Sequence, residues 1–175
     1  FFSSHAIFTA TDYKRMGDLR FALGIVITMI AGYGNRDDDF EAMLSRYNDE
    51  FPIENDLAVR IRKVFDYIDE CGFESKDRVW RKSDLFSFIV EIDDLISKRK
   101  LVLQPLETVE RCQAFFKLIA GDLAGHTIAG AYYKAALQAS NDRLNRVRRG
   151  VIISGVILGI DYDQIAQELT DQGLN

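Results

Sequence analysis

Apolar residues recur at helical spacing along almost the whole chain, and only two prolines interrupt its 175 residues. Side chains three and four positions apart share one face of an α-helix, so this spacing predicts amphipathic helices. Alternating strand patterns are scarce, and only residues 78–80 and 100–104 are short candidates for extended structure. The sequence therefore predicts an all-α fold, organised as a single domain over residues 1–175, with about seven to eight helices.

The first long predicted helix indicates where the core lies. Asp18 is a suitable N-cap for a helix that runs to Ala31, and Gly32 is a suitable residue to end it. This helix is apolar on nearly every face apart from Arg20 and Thr28. A helix that is apolar on all sides belongs in the middle of a core.

Later helices are predicted from similar signals. Asp56, Ser83 and Asn141 are predicted N-caps, and Pro105 suits the first turn of another helix. Residues 121–139 are rich in alanine and glycine, which would let two helices approach closely. No linker, repeat or low-complexity segment divides the chain.

Two acidic groups are candidates for metal binding, and both have a simpler interpretation. The stretch GYGNRDDD at residues 32–39 has only a G-x-G pattern, and its aspartates would repel a phosphate. Paired carboxylates suit magnesium, but a solvated helix start explains the aspartates as well. Glu91, Asp93 and Asp94 are interpreted as a solvated helix face. We therefore predict no metal ligand and no cofactor in this chain.

Histidine and cysteine give no catalytic pattern. His126 lies in the small-residue stretch and is interpreted as a packed or hydrogen-bonded residue, and the only other histidine is His5. Cys71 and Cys112 have no nearby base and read as small core residues. We predict no catalytic residue. A reduced, cytoplasmic location is the default, and no apolar run is long enough to predict a membrane span or a membrane partner.

The net charge of −5 argues against a chain dedicated to nucleic acid, although it leaves room for a local basic patch. Two basic clusters are candidates for DNA contact. They comprise Lys98, Arg99 and Lys100, and Arg143, Arg146, Arg148 and Arg149. On a helix the four arginines occupy the sides left free by the apolar stripe, where they either follow a phosphate backbone or pair with the surplus acids.

Several motifs are similar to those of a known family. An "RM-x-D" pattern (Arg15, Met16 and Asp18) opens the apolar helix, and "EFP" closes the next one at residues 50–52. Together with "WRKSDLFSFIVEI" and "ASNDRLNRVRRGVI", these resemble the helical region of the GmrSD restriction-endonuclease N-terminal domain family, which is ParB/sulfiredoxin-like. The likeness spans most of residues 1–157.

The resemblance implies a non-catalytic helical scaffold or interaction domain of a DNA-targeting defence protein. The family's Asp-Gly-Gln-x-Arg motif is missing, so no catalytic residue is carried over, and Arg15 and Asp18 are expected to form a structural pair. The chain opens without methionine, and we expect it to be a fragment whose upstream part holds a nucleotide-dependent nuclease core. That upstream domain and DNA are the predicted partners, and the oligomeric state is not predicted.

A protein-interaction adaptor that acts alone is the alternative function. It is motivated by the small-residue stretch of residues 121–139 and by the adjacent aromatic side chains Tyr132 and Tyr133. An exposed apolar patch would favour the adaptor, and a continuous basic face would favour DNA contact.

Overall fold

A computed structural model describes residues 1–34, 38–121, 123 and 125–174, with the backbone only for residues 38–40. Over this part of the chain the structure contains nine α-helices and no β-strand, which confirms the predicted all-α single domain. The helices are α1 (Ala10–Lys14), α2 (Gly17–Ala31), α3 (Asp38–Arg46), α4 (Glu54–Cys71), α5 (Lys82–Asp93), α6 (Pro105–Ala120), α7 (Thr127–Leu137), α8 (Arg143–Leu158) and α9 (Tyr162–Asp171).

Helix α5 is the centre of the fold. Every residue from Asp84 to Asp93 is buried, because α2, α4 and α8 pack around this helix. Helix α6 packs against α4, α7 and α8, and α9 lies on α8. The buried apolar side chains form one cluster that includes members of α2, α4, α5, α6, α7, α8 and α9.

Several predicted helix ends agree with the structure to within two residues. Helix α2 ends at Ala31, and Gly32 follows it with φ 82°, a backbone conformation that glycine accepts readily. Pro105 is the first residue of α6. The two candidate extended stretches contain no strand, and Arg78–Trp80 is a short 3₁₀ helix. The phosphate-loop and metal interpretations of residues 35–39 concern side chains that lie outside the described residues.

The acidic residues of α5 correct one prediction. Glu91 and Asp93 were expected on a solvated face, but they are only 9 % and 0 % exposed. A buried carboxylate needs a partner, and each has one: Asp93 accepts from Nε of Arg60 at 3.0 Å, and Glu91 accepts from the Tyr33 hydroxyl at 2.7 Å. The apolar periodicity of α5 could not predict that these two carboxylates are buried, because their hydrogen-bond partners come from other segments.

A turn of π-helix, Asp94–Lys98, continues α5. It carries the start of the predicted basic cluster 98–100 to the surface, where all three side chains are exposed. No helix in the described ranges is both long and apolar enough to cross a lipid bilayer.

Candidate functional site: a basic cleft

Four basic side chains meet around a cavity of about 290 Å³. The cavity lies between the first turns of α2, the first turn of α5 and the connection from α7 to α8. We call it the basic cleft and define it by Arg20, Lys82, Arg146 and Arg149. None of the residues that line it is acidic, although the whole chain has a net charge of −5.

Aromatic packing sets the distance between the two walls of the basic cleft. The rings of Phe21 on α2 and Phe86 on α5 meet edge to face, with centroids 5.9 Å apart. Gly24 lies beside Phe86, and a Cβ there would be 3.4 Å from that ring. The small residue therefore lets the ring lie close to α2, and the two phenylalanines form the apolar part of the cavity wall.

Arg149 is the most buried of the four cations, with 1 % of its surface exposed. Its Nε donates to Ser87 Oγ at 3.1 Å, and its Nη1 donates to the carbonyl oxygens of Ala135 and Ser140 at 2.6 and 2.9 Å. Burial is the main cause that lowers the pKa of Arg149 from its ordinary value. The guanidinium therefore joins α5, α7 and the start of α8 at the inner end of the cleft.

The other buried cation of the cleft, Arg146, is fixed by an aromatic ring. Its guanidinium carbon lies 4.6 Å from the centroid of the Phe86 ring, within the range of a cation–π interaction. Lys82 is tied differently, since its Nζ lies 2.6 Å from Oδ1 of Asp12. This ion pair is the main reason that the pKa of Asp12 lies below its usual range. Lys82 is therefore partly neutralised, whereas Arg20 has no ion pair within the described ranges.

The N-termini of three helices also line the basic cleft. Gly17 is the first residue of α2, Lys82 and Ser83 are the first two of α5, and Asn141 comes just before α8. All of them line the cavity. None of the three helices has a side-chain N-cap hydrogen bond in the structure. The first N–H groups of a helix carry partial positive charge that attracts anions, although each of these three starts also has an aspartate in its first turn or at its N-cap position.

The structure separates the four arginines that were predicted as one DNA-binding group. Arg146 and Arg149 face the basic cleft, while Arg143 is exposed and its Nε donates to the carbonyl oxygen of Tyr33 at 3.1 Å. Arg148 is half-buried and bonds to Asn145 Oδ1 at 2.8 Å and to the carbonyl oxygen of Leu174. The side chains of Lys98, Arg99 and Lys100 are exposed outside the cleft, and Lys98 lies 4.0 Å from Asp94.

Two cleft residues, Arg20 and Lys82, were missed as site residues. A signal existed for Arg20, because an arginine in a helix that is otherwise apolar needs a reason to be there. The sequence around Lys82 gave no signal, since only the fold brings the start of α5 beside the start of α8. The predicted Arg15–Asp18 pair is not among the ion pairs formed within the described ranges.

The histidine and cysteine predictions have mixed outcomes. Cys71 and Cys112 are buried free thiols, as expected for core residues, and burial raises the pKa of Cys71 to about 12. His126 is exposed at the start of α7, so its expected packing is not observed. His5 stacks on Trp80 at 4.0 Å and bonds to Asp69 at 2.8 Å. Within the described residues, no three His, Cys, Asp or Glu side chains converge as metal ligands.

A second cavity, of about 310 Å³, lies on the other side of α8 and has an acidic wall. Glu91, Asp94 and Glu168 line it together with Arg99. Burial raises the pKa of Glu91 to about 7, and the hydrogen bond from Tyr33 opposes that shift. This cavity therefore contrasts with the basic cleft in charge.

Comparison with known proteins adds no relative: no family model, curated protein or solved structure matches this chain significantly. The resemblance to the GmrSD family stays a prediction.

Proposed function

We propose that this chain is a non-catalytic helical interaction domain that contacts nucleic-acid phosphates through the basic cleft. The supporting observation is the convergence of four cations and three uncapped helix starts on a cavity that no acidic side chain lines. Phosphate contacts supply most of the affinity of non-specific nucleic-acid binding, and they require local positive charge of this kind. Membership of a GmrSD-like, DNA-targeting defence protein is proposed on the sequence resemblance alone.

The structure favours the cleft over an arginine helix face. Arg149 is 1 % exposed and Arg148 bonds to the carboxyl-terminal segment, so the four arginines do not share one outer surface. Arg20 at the rim of the cleft is exposed. We therefore expect a nucleic-acid strand to lie across the rim, with a phosphate beside this side chain.

The test is a salt titration of binding to duplex DNA with 5′-hydroxyl ends, followed by fluorescence anisotropy. Arg20→Ala is the cleft variant, and Arg62→Ala, an exposed arginine of α4 outside the cleft, is the matched control. Each lost phosphate contact should reduce the slope of log K against log salt by about 0.9. We expect that reduction for Arg20→Ala and an unchanged slope for Arg62→Ala.

A third variant separates the two basic surfaces. In it, Lys98, Arg99 and Lys100 are all changed to alanine, which leaves the cleft intact. Loss of binding in this variant alone would move the DNA contact to the end of the π-helical turn. Absence of salt-dependent binding by the unaltered chain would overturn the proposal. Replacing all four arginines at once is a poor test, because removing Arg149 leaves two carbonyl groups without their donor.

The adaptor alternative is favoured by a different observation. Val102 and Leu106 are 88 % and 74 % exposed in the connection before and at the start of α6, next to the exposed Leu101. The aromatic pair Tyr132 and Tyr133 supports the adaptor less well, since Tyr132 is fully buried and not available to a partner. A photo-crosslinking residue at position 102, compared with one at the exposed Lys63, tests this function in cells that make the protein. A specific crosslinked protein at position 102 alone would support the adaptor.

A further inference from the structure

The basic cleft becomes more buried from its rim inwards. Arg20 is exposed, Arg146 is 9 % exposed, and Arg149 is 1 % exposed. The hydrogen bonds of Arg149 involve Nε and Nη1, and within the described ranges its Nη2 has no hydrogen-bond partner. A buried guanidinium with an unused donor, lining a cavity, is suited to an anion that enters the cavity.

The size of the cavity restricts which phosphate can enter. An internal phosphate of a nucleic-acid strand carries one negative charge and is flanked by two sugars, so it stays at the rim of a cavity of about 290 Å³. A terminal phosphate is attached through one ester bond only. It has three free oxygens and a charge of about −1.5 to −2 at neutral pH. Three arginines line this small cavity beside Lys82, which is paired with Asp12, and together they match that higher charge.

We propose that the basic cleft binds the terminal phosphate of a phosphate monoester, which is either a free mononucleotide or the 5′-phosphorylated end of a strand. This inference rests on the proposed contact with nucleic-acid phosphates and names its ligand. Arg149 and Arg146 hold the phosphate at the inner end. The N–H groups of Lys82 and Ser83, at the uncapped start of α5, face the same oxygens, and Arg20 covers them from the rim.

The apolar wall suits the part of the ligand next to the phosphate. Phe21 and Phe86 line the cavity beside the cations. Arg146 already lies against the Phe86 ring, so its guanidinium plane is held before a ligand arrives. A site whose donors are fixed in advance loses less conformational entropy on binding.

Calorimetric titration with adenosine 5′-monophosphate and with adenosine tests the phosphate requirement. A second pair, one single-stranded oligonucleotide with a 5′-phosphate and the same strand with a 5′-hydroxyl, tests the strand end. We expect the phosphate to raise affinity by about tenfold or more in at least one pair, since hydrogen bonds to charged groups are strong. A gain in the first pair identifies mononucleotides, and a gain in the second alone identifies strand ends. Equal affinities within both pairs would overturn the proposal.

Position 83 offers a variant that keeps the helix stable. Ser83→Asp places a carboxylate in the first turn of α5, where negative charge favours the helix but repels a phosphate. Leu106→Asp is its control, because it places the same charge at the exposed second residue of α6, outside the cleft. We expect Ser83→Asp to abolish the preference for the phosphorylated ligand and Leu106→Asp to keep it. Retention of the full preference by a folded Ser83→Asp protein would contradict this assignment of the site.

The pH dependence of the affinity is an independent test of whether the cleft binds a phosphate monoester. The second ionisation of a phosphate monoester has a pKa of about 6, so affinity for adenosine 5′-monophosphate should rise between pH 5.5 and 7.5. Binding of duplex DNA with 5′-hydroxyl ends has no such ionisation. If that duplex binds but neither phosphorylated ligand gains affinity, the monoester inference fails and the proposed function stands. If the monoester binds and the duplex does not, nucleic-acid contact along the rim is the part that fails.

Discussion

The hydroxyl of Tyr33 donates a hydrogen bond of 2.7 Å to Oε1 of Glu91, across the gap between the end of α2 and the last turn of α5. Glu91 is 9 % exposed, and its carboxyl group forms no other hydrogen bond in the part of the chain that the structure describes. Asp94 lies nearby as a second negative charge, with Lys98 and Arg99 as opposing positive charges. The carboxyl group of Glu91 is therefore held in the core without a cation bound directly to it.

This position predicts a stability that depends on pH. Burial raises the pKa of Glu91 from 4.5 to about 7, so the folded state binds the proton more tightly than the unfolded state. The contribution of this tighter proton binding to the free energy of unfolding is fully present below pH 4.5 and is lost as pH rises through about 7. By pH 8 the ionised, buried Glu91 lowers the free energy of unfolding by on the order of 3 kcal/mol relative to low pH. We expect Glu91→Gln, which keeps an acceptor for Tyr33, to raise the free energy of unfolding at pH 8 but not at pH 5.

Urea denaturation at the two pH values measures this difference. Glu168→Gln is the matched control, because Glu168 lines the same cavity but is exposed. Its effect should be nearly the same at both pH values. A Glu91→Gln effect that is equally independent of pH would show that this carboxyl group is ionised at no cost in the folded protein.

The approach of α8 to this pair predicts the effect of a substitution at Gly150. A Cβ at this position would lie 2.5 Å from Glu91 Oε1 and 2.8 Å from the Tyr33 ring and hydroxyl. Contacts this short require a shift in a packed core, which costs about 1–3 kcal/mol. We therefore expect Gly150→Ala to lower the free energy of unfolding by about that amount, although alanine favours helix elsewhere.

Gly130 is a suitable control for Gly150. It also lies within a helix, α7, and a Cβ there would meet nothing within 4 Å. Gly130→Ala should therefore stabilise the protein by up to about 1 kcal/mol through helix propensity. Chemical denaturation of both variants gives the comparison. A stabilising Gly150→Ala would mean that Tyr33 and Glu91 move aside without loss of their hydrogen bond.

These relationships show what the sequence could and could not predict. The period of the apolar residues and the turn residues predicted most helices, because both are local properties. The burial of Glu91 and Asp93 was not predictable from α5 itself, since their partners Tyr33 and Arg60 are more than thirty positions away. The basic cleft was missed for the same reason. The sequence shows Arg20 as a charged residue in an otherwise apolar helix, but only the fold shows that it lies near Arg146.

The ion pair formed by Arg60 and Asp93 has a fully buried carboxylate. Asp93 is fully buried, and it accepts from Nε of Arg60 at 3.0 Å as well as from Nη2 at 2.5 Å. Nη2 also donates to the carbonyl oxygen of Met29. The hydrogen bond to Asp93 is the first cause that raises the pKa of Arg60. The pair therefore ties α4 to α5 and to the end of α2.

Removing one member of this pair should be costly. Asp93→Asn leaves a mostly buried guanidinium without its counter-charge, and we expect the free energy of unfolding to fall by about 3 kcal/mol. Asp56→Asn is the control, because Asp56 is exposed and lies 3.9 Å from the same arginine. Its effect should stay within about 0.5 kcal/mol. Equal effects of the two substitutions in urea denaturation would contradict the importance of burial.

A double substitution separates the value of the pair from the cost of breaking it. Apolar residues of similar size at both positions, Arg60→Met with Asp93→Leu, remove both charges together. Replacing a whole buried pair in this way is often neutral or stabilising, whereas an unpaired buried charge is not. We expect the double variant to unfold at a higher urea concentration than Asp93→Asn. A double variant less stable than Asp93→Asn would show that the pair itself, and not the avoidance of an orphaned charge, stabilises the fold.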